Sequence, residues 1–228
     1  MGTAPIAVAL DAQEIELLRE WAWQTQDVVS TLKIGLETFY RNGADAIEVV
    51  RESGCDLFLD VKLHDIPNTV AGAAAALSRY APKYLTVHAS GGPEMVRAAC
   101  EELPETLVAA VTVLTSLDDQ SLAEVGICTP AQDTVLRQAA LAVAAGARAI
   151  VCSPHEVARV RAEVGSGIIL ITPGVRPAGS APGDQKRVMT PVEALDCGAD
   201  LLVIGRPITG SPNLKQAADA IAREIGSA

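Results

Sequence analysis

Short apolar runs alternate with helical patterns from one end of the chain to the other. The runs fall at 6–10, 28–35, 57–63, 84–89, 107–114, 149–153, 168–172 and 201–205, each of a length that suits a buried strand. Amphipathic stretches near 12–24, 37–53, 68–81, 93–102, 130–145, 154–163, 191–197 and 212–225 separate and follow them. Many of these open on a capping or turn residue, such as Asp11, Ser153-Pro154, Thr190-Pro191 or Ser211-Pro212. Several close on glycine, as at Gly43, Gly54, Gly146 and Gly198. Strict strand–helix alternation implies a parallel sheet, because parallel neighbours need a long crossover. Eight such units in 228 residues favour a closed (β/α)8 TIM barrel over an open doubly wound sheet. No linker or low-complexity tract divides the chain, so residues 1–228 read as one domain.

Composition fits this reading. Apolar residues make up 49% of the chain and aromatics 3%, which suits buried parallel strands under Ala-rich helices. A net charge of -10 argues against nucleic acid or an anionic membrane as partner. The five cysteines (Cys55, Cys100, Cys128, Cys152, Cys197) are scattered and form no C-x-x-C, as expected of a reducing, cytoplasmic setting. No apolar run is long enough for a membrane span, and no signal peptide is evident.

Polar residues are the informative exceptions. The strand runs are apolar in their first halves, but their ends carry Asp11, Lys33, Asp60 with Lys62, His88, Thr115 with Ser116, Ser153, and Gly205-Arg206. In a barrel those ends share one rim, where barrel enzymes place their active sites. Asp60 and Lys62 are two apart, so on a regular strand they share a face, about 7 Å apart along the chain. Asp65 follows at the turn. Such charges are costly to bury unless they neutralise one another, and a structural ion-pair network satisfies that demand as well as a catalytic one does. The connection after the seventh run is long, rich in Gly and Pro, and holds Arg176, Gln185, Lys186 and Arg187. It reads as a mobile phosphate-binding loop around 174–190, with Gly205 and Arg206 beside it. An exposed turn with solvated arginines is the plainer alternative.

Lys33, the run Asp60-x-Lys62-x-x-Asp65-Ile66-Pro67-Asn68-Thr69, the Pro173-Gly174-Val175-Arg176 to Gln185 loop and Ile204-Gly205-Arg206 together resemble the orotidine 5′-phosphate decarboxylase family, in its bacterial form. The likeness runs from Asp11 to Arg206. It implies cofactor-independent decarboxylation of orotidine 5′-monophosphate to UMP, a step of de novo pyrimidine biosynthesis, with no metal. By resemblance Asp11 and Lys33 hold the ribose, Asp60 sits against the substrate carboxylate, and Lys62 delivers a proton to C6. Asp65 and Thr69 would reach the partner's site in a homodimer, Asp65 completing the charge row and Thr69 contacting the ribose. Thr115 and Ser116 would bond the pyrimidine, and Arg176, Gln185, Gly205 and Arg206 the phosphate.

The chemistry of the residues agrees. Loss of CO2 leaves a carbanion on a ring carbon, and the chain carries no GxGxxG after its first strand and no His/Cys cluster. The charge must then be stabilised electrostatically, and a lysine flanked by carboxylates is held in its charged form. Other readings remain. Asp60 and Asp65 as Mg2+ ligands would make a sugar-phosphate decarboxylase or aldolase of the same barrel family. A Schiff-base role for Lys62 needs a depressed pKa, which flanking carboxylates oppose. A phosphate-ligand binding protein without catalysis is the fourth. His88 reads as a hydrogen-bonded core histidine, His64 and His155 as loop or surface residues, Trp21 and Trp23 as packing anchors, and Cys152 as a small buried filler. The Ala-rich segment 71–76 reads as core or as a helix–helix interface.

Overall fold

The structure, a computed structural model, describes residues 3–177 and 189–226. Strands β1 (Ala4–Ala9), β2 (Val29–Gly35), β3 (Asp56–Leu63), β4 (Tyr84–His88), β5 (Leu107–Val111), β6 (Ala149–Val151), β7 (Ile169–Thr172) and β8 (Leu201–Ile204) close in chain order into a parallel barrel, β1 pairing with both β2 and β8. This is the (β/α)8 architecture that the alternation implies. β5 stops at Val111 and β6 at Val151, short of their apolar runs, because the rim residues that follow leave the ladder for loops.

Two apolar layers hold the barrel. Ala7, Phe58, Tyr84, Ala109, Ala149, Ile171 and Leu201, from seven strands, form the inner cluster. Phe58 and Tyr84 meet edge to face at 5.6 Å, while β1, β5 and β6 contribute the small side chains of Ala7, Ala109 and Ala149 to the same cluster. β2 adds no apolar residue to this cluster; in register with Phe58 it places Lys33. The larger cluster, with Val8, Leu32, Leu59, Leu85, Ile150 and Ile204, lies between the sheet and the helices.

The helices are α1 (Ile15–Thr25), α2 (Leu36–Asn42), α3 (Ala44–Ser53), α4 (Pro67–Ser78), α5 (Pro93–Glu102), α6 (Asp119–Glu124), α7 (Ala131–Ala144), α8 (Val157–Val164), α9 (Pro191–Asp196), α10 (Arg206–Thr209) and α11 (Leu214–Glu224). The single amphipathic stretch at 37–53 is two helices. Gly43 separates them at φ 52°, ψ -124°, a conformation that excludes continuation. Of the opening residues expected to cap, Thr190 does so in a full capping box with Glu193, whereas Asn213 caps α11 in place of Ser211. Asp11 caps nothing and is free for the rim. Trp21 packs on the core as expected, but Trp23 is 73% exposed and anchors nothing. In the Ala-rich segment, Ala74 is buried while Ala75 and Ala76 are exposed. Among the described residues, no helix is long and apolar enough to cross a membrane.

Candidate active site

The charged strand ends converge. Lys33, the last inward side chain of β2 before Gly35, is 7% exposed, and its Nζ lies 3.2 Å from Asp60 Oδ2 and 3.8 Å from Asp11 Oδ1. Lys62 Nζ donates to Asp60 Oδ1 at 2.7 Å. Asp11, Lys33, Asp60 and Lys62 therefore form one alternating row, and both oxygens of Asp60 face an ammonium. Burial alone would raise the Asp60 pKa, but Lys33 and Lys62 more than offset it and hold the carboxyl below its ordinary range.

Asp60 and Lys62 meet, although not through a regular strand. β3 and β4 lose register between Leu59 and Leu63, and Lys62 takes φ 48°, in the left-handed region that a side chain with a Cβ rarely adopts. Its N–H donates to the buried Thr86 hydroxyl at 2.8 Å, and that hydroxyl lies 3.0 Å from Asp60 Oδ1.

The row faces two connected hollows. An inner one of about 220 Å³ is lined by Lys33, Asp60, Lys62, Thr115, Cys152 and apolar walls that include Phe58, Val111 and Val151. An outer one of about 560 Å³ is lined by Asp11, Trp21, Arg176, Gly205 and Arg206. Lys33, Asp60, Pro173 and Val203 belong to both, so they are the two ends of one mouth. Arg176 is half-buried; burial and then Arg206 push its guanidinium pKa down, which is the mark of two cations set side by side. The Arg176 N–H bonds Met189 O at 3.0 Å and Val175 bridges Met189, tying the two ends of the long connection together. A Cβ on Gly205 would lie 3.5 Å from the Ala9 Cβ, an ordinary contact.

The other expected residues divide. Thr115 lines the inner hollow, while its neighbour Ser116 is exposed and outside that lining. Asp65 and Thr69 are exposed, and Asp65 accepts from its own neighbour's N–H, Ile66, at 2.7 Å. Within one chain Asp65 makes no ion pair with Lys62 among the described residues. Gln185, with Lys186, Arg187 and most of the expected loop at 174–190, lies outside the described residues. His88 differs from expectation: its contact is the His64 ring, 5.3 Å away, and no hydrogen bond to its own ring is present among the described residues. Burial, His64 and Lys62 together lower its pKa. His64 and His155 are exposed, and Cys152 is buried with its thiol pKa pushed up by desolvation. No group of three or more His, Cys, Asp or Glu could hold a metal ion among the described residues.

Three residues of the site escaped the sequence reading. A Cβ at Gly35 would come 3.0 Å from both Lys33 Nζ and Asp11 Oδ1, so glycine keeps open the space that the row occupies. Its position two residues after Lys33, on the same face of β2, was the available signal. Thr38 donates to the carbonyls of Leu10 and Ala12 at 2.8 and 3.3 Å, fixing the backbone on either side of Asp11. Thr86 was visible only as one hydroxyl in an apolar strand.

A closed barrel whose strand ends gather an ionic row and paired arginines belongs by architecture to the barrel enzymes that grip small anionic substrates. The comparisons are specific. Residues 4–221 match the family described as Orotidine 5′-phosphate decarboxylase / HUMPS family, and the chain belongs to that family. It is 61% identical over 223 residues to the orotidine 5′-phosphate decarboxylase of Thermobifida fusca (strain YX), covering 97% of this chain and 96% of that protein. It is 50% identical to the enzyme of the same name from Frankia casuarinae, over all of this chain and 89% of the relative. The crystal structure of orotidine 5′-phosphate decarboxylase from Lactobacillus acidophilus superposes with a TM-score of 0.85 at 36% identity, covering 97% of this chain and 99% of that one.

Proposed function

We propose that this protein decarboxylates orotidine 5′-monophosphate to UMP, the reaction of its family, and that Lys62 supplies the proton. The observation that carries the assignment of Lys62 is its ammonium, 2.7 Å from a buried Asp60 carboxylate, in the wall of the inner hollow. In this reading the pyrimidine enters the hollow with C6 toward Lys62, and Thr115 and Ser116 bond its polar edge. The C6–carboxylate bond breaks with its electron pair left on C6, CO2 departs, and a Lys62 N–H proton passes to C6. The neutral amine then regains a proton from solvent. Developing negative charge meets an ammonium already in place, so little reorganisation is needed. Asp60 crowds the substrate carboxylate and is relieved as CO2 leaves.

Asp11 and Lys33 take the ribose hydroxyls, and Lys33 also keeps Asp60 ionised. Arg176 and Arg206, with Gly205 and Gln185, take the phosphate. Gripping a remote phosphate lets binding energy serve the reacting carbon. A homodimer completes the site, with Asp65 and Thr69 reaching across. Their exposure, and that of Ile66 between them at 66%, supports this arrangement. Each chain is one barrel domain, and the enzyme works in the cytoplasm. In the magnesium-dependent alternative Asp60 would be a ligand, but each of its oxygens already faces an ammonium, an arrangement that disfavours a further cation there. Purified protein should consume orotidylate, followed by its ultraviolet absorbance, at the same rate with and without EDTA. Loss of activity on chelation, restored by Mg2+, would instead support the sugar-phosphate type of site.

A further inference from the structure

The kink in β3 has a specific partner. Leu59 pairs with Leu85 and Leu63 with Val87, so four steps along β3 face two along β4. The excess is absorbed where Asp60, Val61 and Lys62 sit, and it drives Lys62 to φ 48°. A bulge of this kind leaves backbone groups without ladder partners. Thr86, wholly buried between Leu85 and Val87, fills the gap with its side chain. Its Oγ1 accepts the Lys62 N–H at 2.8 Å, which directs its own proton to Asp60 Oδ1 at 3.0 Å. The same Asp60 oxygen accepts from Lys62 Nζ at 2.7 Å. One hydroxyl thus touches the backbone of the proton donor and the side chain of its counter-ion.

We infer that Thr86 is a positioning residue for the decarboxylation: its hydroxyl holds Lys62 in the left-handed bulge and fixes the plane of the Asp60 carboxylate, aligning the charge row before substrate enters. The inference rests on the function proposed above. A valine fills the same volume and suits a strand equally well, so packing does not require a hydroxyl. Without it the Lys62 N–H loses its acceptor, the left-handed conformation loses its tie, and Asp60 is left with its two ammonium partners.

The test compares Thr86→Val with Thr86→Ser. Thr86→Val should lower kcat about 100-fold, the effect expected of a misplacement near 1 Å, while KM changes little because the phosphate grip is remote. The acid limb of its pH–rate profile should move to higher pH, since Asp60 loses a donor to its charged form. The charged and titratable groups facing Asp60 (Lys33 from β2, Lys62 from its own strand and His88 from β4) remain in the variant. Thr86→Ser should restore both kcat and the limb. A Thr86→Val enzyme with the wild-type kcat and limb overturns the inference, and so does a folded Thr86→Ser as impaired as the valine variant. Should Thr86→Val fail to fold, Thr86→Ala, which leaves room for a water, is judged by the same criteria. The crystal structure of the variant supplies an activity-independent arm: Lys62 should leave the left-handed region or draw its Nζ away from Asp60, and an unchanged Lys62 contradicts the inference. Wild-type protein that leaves orotidylate intact overturns the proposed function instead, and the structural arm still decides the role of Thr86.

Discussion

At the inner end of the mouth, Lys33 and Lys62 each lie within 3.2 Å of an Asp60 oxygen, and Asp11 extends the row. At the outer end, Arg176 and Arg206 line one hollow, and Arg206 helps to lower the Arg176 pKa. The inner charges are balanced by one another and fixed by strand backbone. The outer end sets two cations side by side, an arrangement that an anion between them would stabilise. The first arrangement suits chemistry, where reorganisation is costly, and the second suits capture, where charge is to be neutralised on binding.

That contrast can be broken at either end. Arg206→Ala should act through binding, raising KM for orotidylate by about 10- to 100-fold, the loss expected for charge-assisted hydrogen bonds. Guanidinium ion added to the variant, which restores the missing cationic donor, should recover part of the rate. A pure kcat loss would show that the outer end also sets the chemistry. Gly35→Ala should do the reverse on a smaller scale. Its Cβ would stand 3.0 Å from Lys33 Nζ and Asp11 Oδ1, so both must yield by a few tenths of an ångström. About tenfold in kcat with KM nearly unchanged is the expected outcome, scaled from the larger cost of a full ångström.

The smallest effect is on stability. The folded-state pKa of Asp60 is below its ordinary value, so its contribution is present above the unfolded value of about 3.9 and lost as pH falls through the lower folded one. Melting temperatures of wild type and Asp60→Asn should therefore differ by a constant amount from pH 5 to 8 and converge in more acid solution. A gap that narrows already near pH 7 would assign the titration to another group.

Much of this was legible in the chain. Eight apolar runs of strand length, each followed by a helical pattern, leave few folds other than the barrel, and charges ending apolar runs mark its rim. The meeting of Asp60 and Lys62 was expected from strand period alone, yet the structure reaches it through a left-handed residue. Period-2 reasoning has no means of foreseeing a bulge, because that depends on what β4 offers opposite. Thr86 and Gly35 were missed for the same reason: one acts by a cross-strand hydroxyl and the other by the absence of a side chain. Asp65 and Thr69 carry no mark within one chain, since their expected partners belong to a second copy. Gly43 was legible as a glycine on which a helix closes, yet the apolar periodicity on both sides of it kept 37–53 as one stretch, which the structure divides at that residue.

The central claim is that the Lys62 ammonium gives its proton to C6. Its most direct test is the turnover of Lys62→Ala on orotidylate, read beside UMP binding to the same folded variant. The expected result is a fall in kcat of at least about 1,000-fold, within the range for losing a general acid, with UMP still bound. A variant that binds UMP and retains a tenth or more of the wild-type rate would contradict it.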